Sequence, residues 1–165
     1  MRDAGKALTD PVISIGTLAH RVGLSVSAIR KYETEGLIIP YRTASGRRLF
    51  SHEDIDRIRT IHHLIQDVGL NIEGIRRLLA MLPCWELSSA GKVRRDQCSA
   101  LQDSTRPCWM IRGTQDASQA EKCRNCEVYR FGSRCTEEIK GVVFGRNGRK
   151  KEESLAELLK RRGVS

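Results

Sequence analysis

From Ile15 onward, apolar side chains recur at the helical period. Ile15, Leu18, Ala19 and Val22 stand at i, i+3, i+4 and i+7, which places them on one face of a helix. Gly23 ends that run, since glycine tolerates the positive φ of a residue just past a helix. Ser25 is an N-cap for a second helix with apolar positions Ala28, Ile29 and Tyr32. Two short helices across a glycine-containing turn predict a helix-turn-helix.

Gly36 closes the second helix, and Leu37-Ile38-Ile39 is a short apolar, β-leaning run stopped by Pro40. Tyr41 to Phe50 then reads as a tight hairpin around Ser45-Gly46 with Arg42, Arg47 and Arg48 on its arms. A hairpin whose cations can lie along a phosphate backbone is a wing; the competing reading is a solvated surface loop. Ser51 with Asp54 begins a capping box for a helix carrying Ile55, Ile58, Ile61, His62 and Ile65. Gly69 ends it. Asn71 caps a last helix with Ile72, Ile75, Leu78, Leu79 and Leu82, closed by Pro83. His62 and His63 lie in mid-helix beside an apolar stripe, where packing or surface roles outweigh metal ligation.

Composition adds little until charge and cysteine are considered. With 39% apolar residues the 165-residue chain can build a core, and no apolar run is long enough to span a membrane. The first residues carry charges but no apolar stretch of the secretory type, so the expected compartment is a reducing cytoplasm. There, clustered cysteines bind metal or do redox chemistry more often than they form structural disulfides. The net charge of +9 favours a polyanionic partner. All six cysteines fall between Cys84 and Cys135, so the chain divides into a cysteine-free front and a thiol-bearing rear.

The front resembles a known family. Ile13-Ser14-Ile15-Gly16-Thr17-Leu18-Ala19, Ser27 to Ile38, Ser45-Gly46-Arg47-Arg48-Leu49-Phe50-Ser51 and Val68-Gly69-Leu70 follow the order and spacing of MerR-type winged-helix transcription regulators. The resemblance covers residues 13–82. It implies that the second helix enters the major groove with Ser27, Arg30 and Tyr32 at DNA, and that Arg42, Arg47 and Arg48 are wing contacts. Arg47 stands where the family usually has an aromatic residue. The family's habit of binding pseudo-palindromic promoters as dimers implies a homodimer on double-stranded promoter DNA, with RNA polymerase a further partner at the promoter. Members usually continue into a long dimerising helix, whereas this chain meets Pro83-Cys84 and shows no sustained heptads.

The rear contains Cys84-Trp85, Cys98, Cys108-Trp109 and Cys123-x-x-Cys126-x-x-Tyr129. This order resembles the small two-CW domains appended to bacterial signalling proteins. Thiolates at such spacing suit zinc or an iron–sulfur cluster held by Cys84, Cys98, Cys108, Cys123 and Cys126, with Cys135 in reserve. A redox dithiol at Cys123 and Cys126 is the third option, and plain buried cysteines the fourth. The tryptophans are expected to be core anchors in every case.

The predicted fold is mainly α: a leader (1–12), a winged helix-turn-helix domain (13–82), a small cysteine-rich module (83–135) and a flexible basic tail (136–165) ending in a weak helix around Leu155, Leu158 and Leu159. The expected function is a DNA-binding transcription regulator whose cysteine module senses redox, metal or iron–sulfur status. A structural zinc site serving dimerisation is the alternative. A thiol oxidoreductase is remote, because no histidine follows His63 to activate a cysteine and no cofactor loop is present.

Overall fold

The computed structural model describes residues 8–82, 99–112 and 116–132. Cys84, Trp85, Cys98, Cys135, the first seven residues of the leader and the basic tail lie outside the described residues. The elements run β1 (Ile13–Ser14), α1 (Ile15–Val22), α2 (Val26–Thr34), β2 (Tyr41–Arg42), β3 (Arg48–Phe50), α3 (His52–Gln66), α4 (Ile72–Ala80), α5 (Ser99–Gln102), α6 (Cys108–Ile111), α7 (Ala117–Arg124) and α8 (Glu127–Phe131).

Local chemistry accounts for most helix ends in the front. Ser25 Oγ accepts from the Ala28 N–H at 3.1 Å, and Asn71 Oδ1 accepts from the Gly74 N–H at 2.7 Å. Ser51 and Asp54 form a reciprocal capping box at the start of α3. Gly23 closes α1 at φ 69°. Gly36 follows α2 at φ 71°, and the Leu37 N–H reaches back to the Tyr32 carbonyl at 2.9 Å, which spends the helix's last free acceptors.

The strands form a three-stranded antiparallel sheet in the order β1-β3-β2. Ile13 pairs with Phe50, and Arg42 with Arg48. The hairpin tip is closed by the Gly46 N–H on the Thr43 carbonyl at 2.8 Å. Strand β1 was not anticipated: two residues are too few for a pattern of alternation to be seen. The β-leaning run Leu37–Ile39 forms no strand. Its three side chains are buried, and it serves as the connector between α2 and β2.

The core begins as expected, with Leu18, Ile29, Leu37, Ile58 and Ile75 fully buried where the stripes of α1 to α4 meet. It does not stop at residue 82. Trp109 from α6 and Val128, Tyr129 and Phe131 from α8 belong to the same continuous cluster. The described cysteine-bearing helices are therefore packed onto the front domain, with their largest aromatic side chains in its core. Trp109 is an anchor, as anticipated, but of a shared core. Short helices of four or five residues cannot bury an apolar face against one another alone, so they bury it against α3, α4 and the connector.

Candidate nucleic-acid interface

Helix α2 carries its chemistry on the face away from the core. Ile29 and Tyr32 point inward, while Ser27, Arg30 and Lys31 are exposed. Ser27 sits at the amino end, its hydroxyl 2.8 Å from the Ser25 cap, where unsatisfied backbone N–H groups and the helix dipole favour a phosphate. Tyr32 packs its ring in the core, where burial raises its phenol above the ordinary value. Its contribution to this face is to fix the orientation of α2.

The wing arginines divide into two kinds. Arg47 stands exposed at the tip beside Gly46 and, among the described residues, makes no ion pair. Arg42 and Arg48 both turn to Glu33 on α2: Arg48 Nε lies 2.6 Å from Glu33 Oε2, and Arg42 takes Glu33 Oε1. One carboxylate thus ties both hairpin strands to α2. Sequence reasoning missed Glu33, although an acid next to a three-arginine hairpin was the available signal. Behind α2, Glu35 pairs with Arg76 of α4 at 2.7 Å and fixes the far end of the helix.

The connector 36–40 is held by side chains from distant parts of the chain. The Trp109 indole N–H donates to the Gly36 carbonyl at 2.8 Å, and Arg57 Nε donates to the Leu37 carbonyl at 2.7 Å. The Ile39 N–H donates to the Tyr129 hydroxyl oxygen at 2.8 Å. Arg57 also donates to the Tyr129 carbonyl and lies over the Tyr129 ring, its guanidinium carbon 3.7 Å from the centroid. Burial pushes the Tyr129 phenol up to about 12, with the Arg57 charge opposing the shift. Arg130 of α8 makes a bidentate pair with Glu53 of α3, at 2.8 and 3.0 Å.

The three described cysteines lie within this docked segment. Cys108 begins α6 directly before Trp109, and Cys126 is the N-cap of α8, three residues before Tyr129. Cys123 is buried near the end of α7 and accepts from Gln119 Nε2 at 3.3 Å. The Cys126 N–H bonds the Cys123 carbonyl at 3.1 Å, so the Cys-x-x-Cys wraps one turn. No disulfide links Cys108, Cys123 and Cys126 to one another. Among the described residues no three cysteine, histidine or carboxylate side chains gather as a ligand set, and Cys84 and Cys98 lie outside those residues. His63 is on the surface, 2.6 Å from Asp67. No helix among the described residues is long and apolar enough to cross a membrane.

Comparison with known proteins agrees with the front of the chain. The family model for MerR HTH family regulatory proteins matches residues 13–82. The HTH-type transcriptional regulator GlnR of Bacillus anthracis is 42% identical over 71 residues, covering 43% of this chain and 54% of that protein. The mercuric resistance operon regulatory protein of Bacillus cereus is 38% identical over 69 residues, covering 41% and 52%. A SoxR homolog of Chromobacterium violaceum, an HTH-type transcriptional activator, is 36% identical over 76 residues, covering 46% and 51%. The chain spans about half the length of the curated relatives it matches. Residues 13–82 of this chain are a MerR-family helix-turn-helix domain.

Proposed function

We propose that the chain is a DNA-binding transcription regulator that reads a promoter with α2 and the wing, and that its cysteine-bearing segment adjusts that reading in response to metal, iron–sulfur or redox status. The observation that carries the first half is the pairing of an exposed Ser27-Arg30-Lys31 face with an exposed Arg47 at the wing tip, on a domain of regulator type. In this reading Ser27 and Arg47 hold phosphates, while Arg30 reaches base edges from the recognition helix. A two-fold operator calls for a homodimer, and a promoter target brings RNA polymerase nearby.

Supporting the second half is where the cysteines sit, next to the residues that bond the connector between α2 and the wing. A soft metal or a cluster would be held by thiolates from Cys84, Cys98, Cys108, Cys123 and Cys126, and it would supply a site whose occupancy varies with conditions. One of the relatives is named for mercuric resistance, which is consistent with a metal signal. The second reading, a structural zinc site with no sensing, draws on the burial of Trp109 and Phe131 in the common core, as a permanent support would have.

Selection of duplexes from a random-sequence pool by the full chain, followed by footprinting, tests the DNA-reading half; no enriched sequence overturns it. Anaerobic purification with metal and sulfide analysis identifies any bound group. A group whose removal unfolds the chain, with unchanged DNA affinity short of unfolding, selects the structural reading.

A further inference from the structure

The connector Gly36–Pro40 presents a specific physical problem. It links the recognition helix to the wing and buries Leu37, Ile38, Ile39 and Pro40, but it belongs to neither helix nor sheet. Buried backbone groups outside regular structure must find partners elsewhere or cost about as much as a lost hydrogen bond each. Here three of them are met by side chains, and two of those three come from the cysteine-bearing segment: Trp109 to the Gly36 carbonyl and Tyr129 from the Ile39 N–H. The third, Arg57 to the Leu37 carbonyl, depends on the same segment, because Arg57 is stacked on Tyr129 and lies 5.2 Å from the Trp109 ring centroid. Trp109 and Tyr129 in turn meet edge to face at 5.2 Å.

The contact is concentrated at this point. A cleft of about 690 Å³ opens to one side, between Glu33, Arg42 and Arg48 on the DNA-reading elements and Met110 and Arg124 on the segment. At Gly36 itself the fit is tight: a Cβ there would stand 2.7 Å from Met110 Cγ. The connector therefore has little room to move while α6 and α8 are docked, and loses two bonded partners when they are not.

We infer that Trp109 and Tyr129 are positioning residues for DNA reading, which fix the angle between the recognition helix and the wing by bonding the connector's backbone. The inference rests on the proposed DNA-reading function and deepens it. It places the coupling within one subunit: Cys108 immediately precedes Trp109, and Cys126 caps the helix that carries Tyr129, so a change at either thiol is within one helical turn of a connector bond.

The test uses the full chain under reducing conditions and a duplex enriched by the wild type from a random pool. Tyr129→Phe keeps the ring and the Arg57 stack but removes the acceptor for Ile39; Trp109→Phe removes the donor to Gly36. Each is expected to weaken binding to the selected duplex by roughly three- to tenfold, the worth of one neutral hydrogen bond, with binding to a scrambled duplex unchanged. The Ile39 amide is expected to exchange hydrogen faster in Tyr129→Phe. Unchanged affinity for the selected duplex in Tyr129→Phe, or an Ile39 amide as slow as in the wild type, overturns the inference. Equal loss on both duplexes together with a collapsed melting transition also overturns it, because that is a purely structural role. Should the wild type enrich no duplex, the DNA-reading proposal fails and this inference with it; failure of the variants alone leaves that proposal intact.

Discussion

Glu33 on the recognition helix and Arg48 on the wing are joined by a 2.6 Å ion pair, and the second oxygen of the same carboxylate takes Arg42. The acid links α2 to both strands of the hairpin. Under the proposed DNA-reading function, it holds two cations for which phosphate must compete.

Replacing that acid should therefore alter how binding depends on salt. In Glu33→Gln, Arg42 and Arg48 are both available to the backbone, so the log–log salt slope should steepen by up to about two units. Affinity for unrelated DNA should rise with it. Fluorescence anisotropy across a salt series measures both, and an unchanged slope would show that the pair does not compete with phosphate.

Arg30 and Arg47 should separate by type of loss. Arg30→Ala is expected to cost on the order of 1–3 kcal/mol on a selected duplex and to relax its sequence preference. Arg47→Ala should weaken all sequences alike and flatten the salt slope by about one unit. Competition with single-base variants of the duplex distinguishes the two, and identical profiles would contradict the assignment.

Much of the front domain is written in local chemistry. Ser25, Ser51 with Asp54, and Asn71 cap the helices that follow them, and Gly23, Gly36 and Gly46 turn where positive φ is required. Those signals act over three or four residues, so they survive in a linear reading. What could not be read were contacts closed across the chain. Trp109 bonds a carbonyl 73 positions earlier, and Tyr129 meets Ile39 across 90. Their apolar bulk marked them as core residues, but nothing in sequence spacing says whose core they enter. The cysteine segment was accordingly expected as a module in its own right, while its described helices pack into the winged-helix core. Arg57 was missed for a related reason: an arginine beside an apolar stripe reads as solvated, whereas here the Tyr129 and Trp109 rings and two carbonyls receive its guanidinium.

That burial has a cost when the cation is removed. Arg57 is 3% exposed, and its charge faces Asp54, a buried carboxyl whose pKa is raised chiefly by desolvation. Arg57→Met leaves the Leu37 and Tyr129 carbonyls without their side-chain donor and removes one charge that favours the Asp54 carboxylate, at an expected cost of about 2–4 kcal/mol. Urea unfolding checks it; a change under about 1 kcal/mol would contradict the described packing.

Tyr129 supplies a pH signature. Its phenol is pushed from 10.0 up to about 12 by burial, so the folded chain keeps the proton that the unfolded chain gives up first. Stability from this group is complete below pH 10 and is lost as pH rises through about 12, on the order of 3 kcal/mol in all. Melting curves through the alkaline range should show a steeper fall for the wild type than for Tyr129→Phe, and parallel curves would contradict the burial of the hydroxyl.

In the function we propose, the cysteine segment governs how the winged helix reads DNA. The most direct measurement of this is the affinity of the full chain for its selected duplex, taken on anaerobically purified protein and again after chelation or oxidant, with Cys108→Ser and Cys126→Ser alongside. Affinity should change by roughly 5- to 150-fold between states, corresponding to a coupling of about 1–3 kcal/mol, with the variants fixed near one of the two values. Equal affinity in every state, with both variants binding as the wild type does, would contradict it.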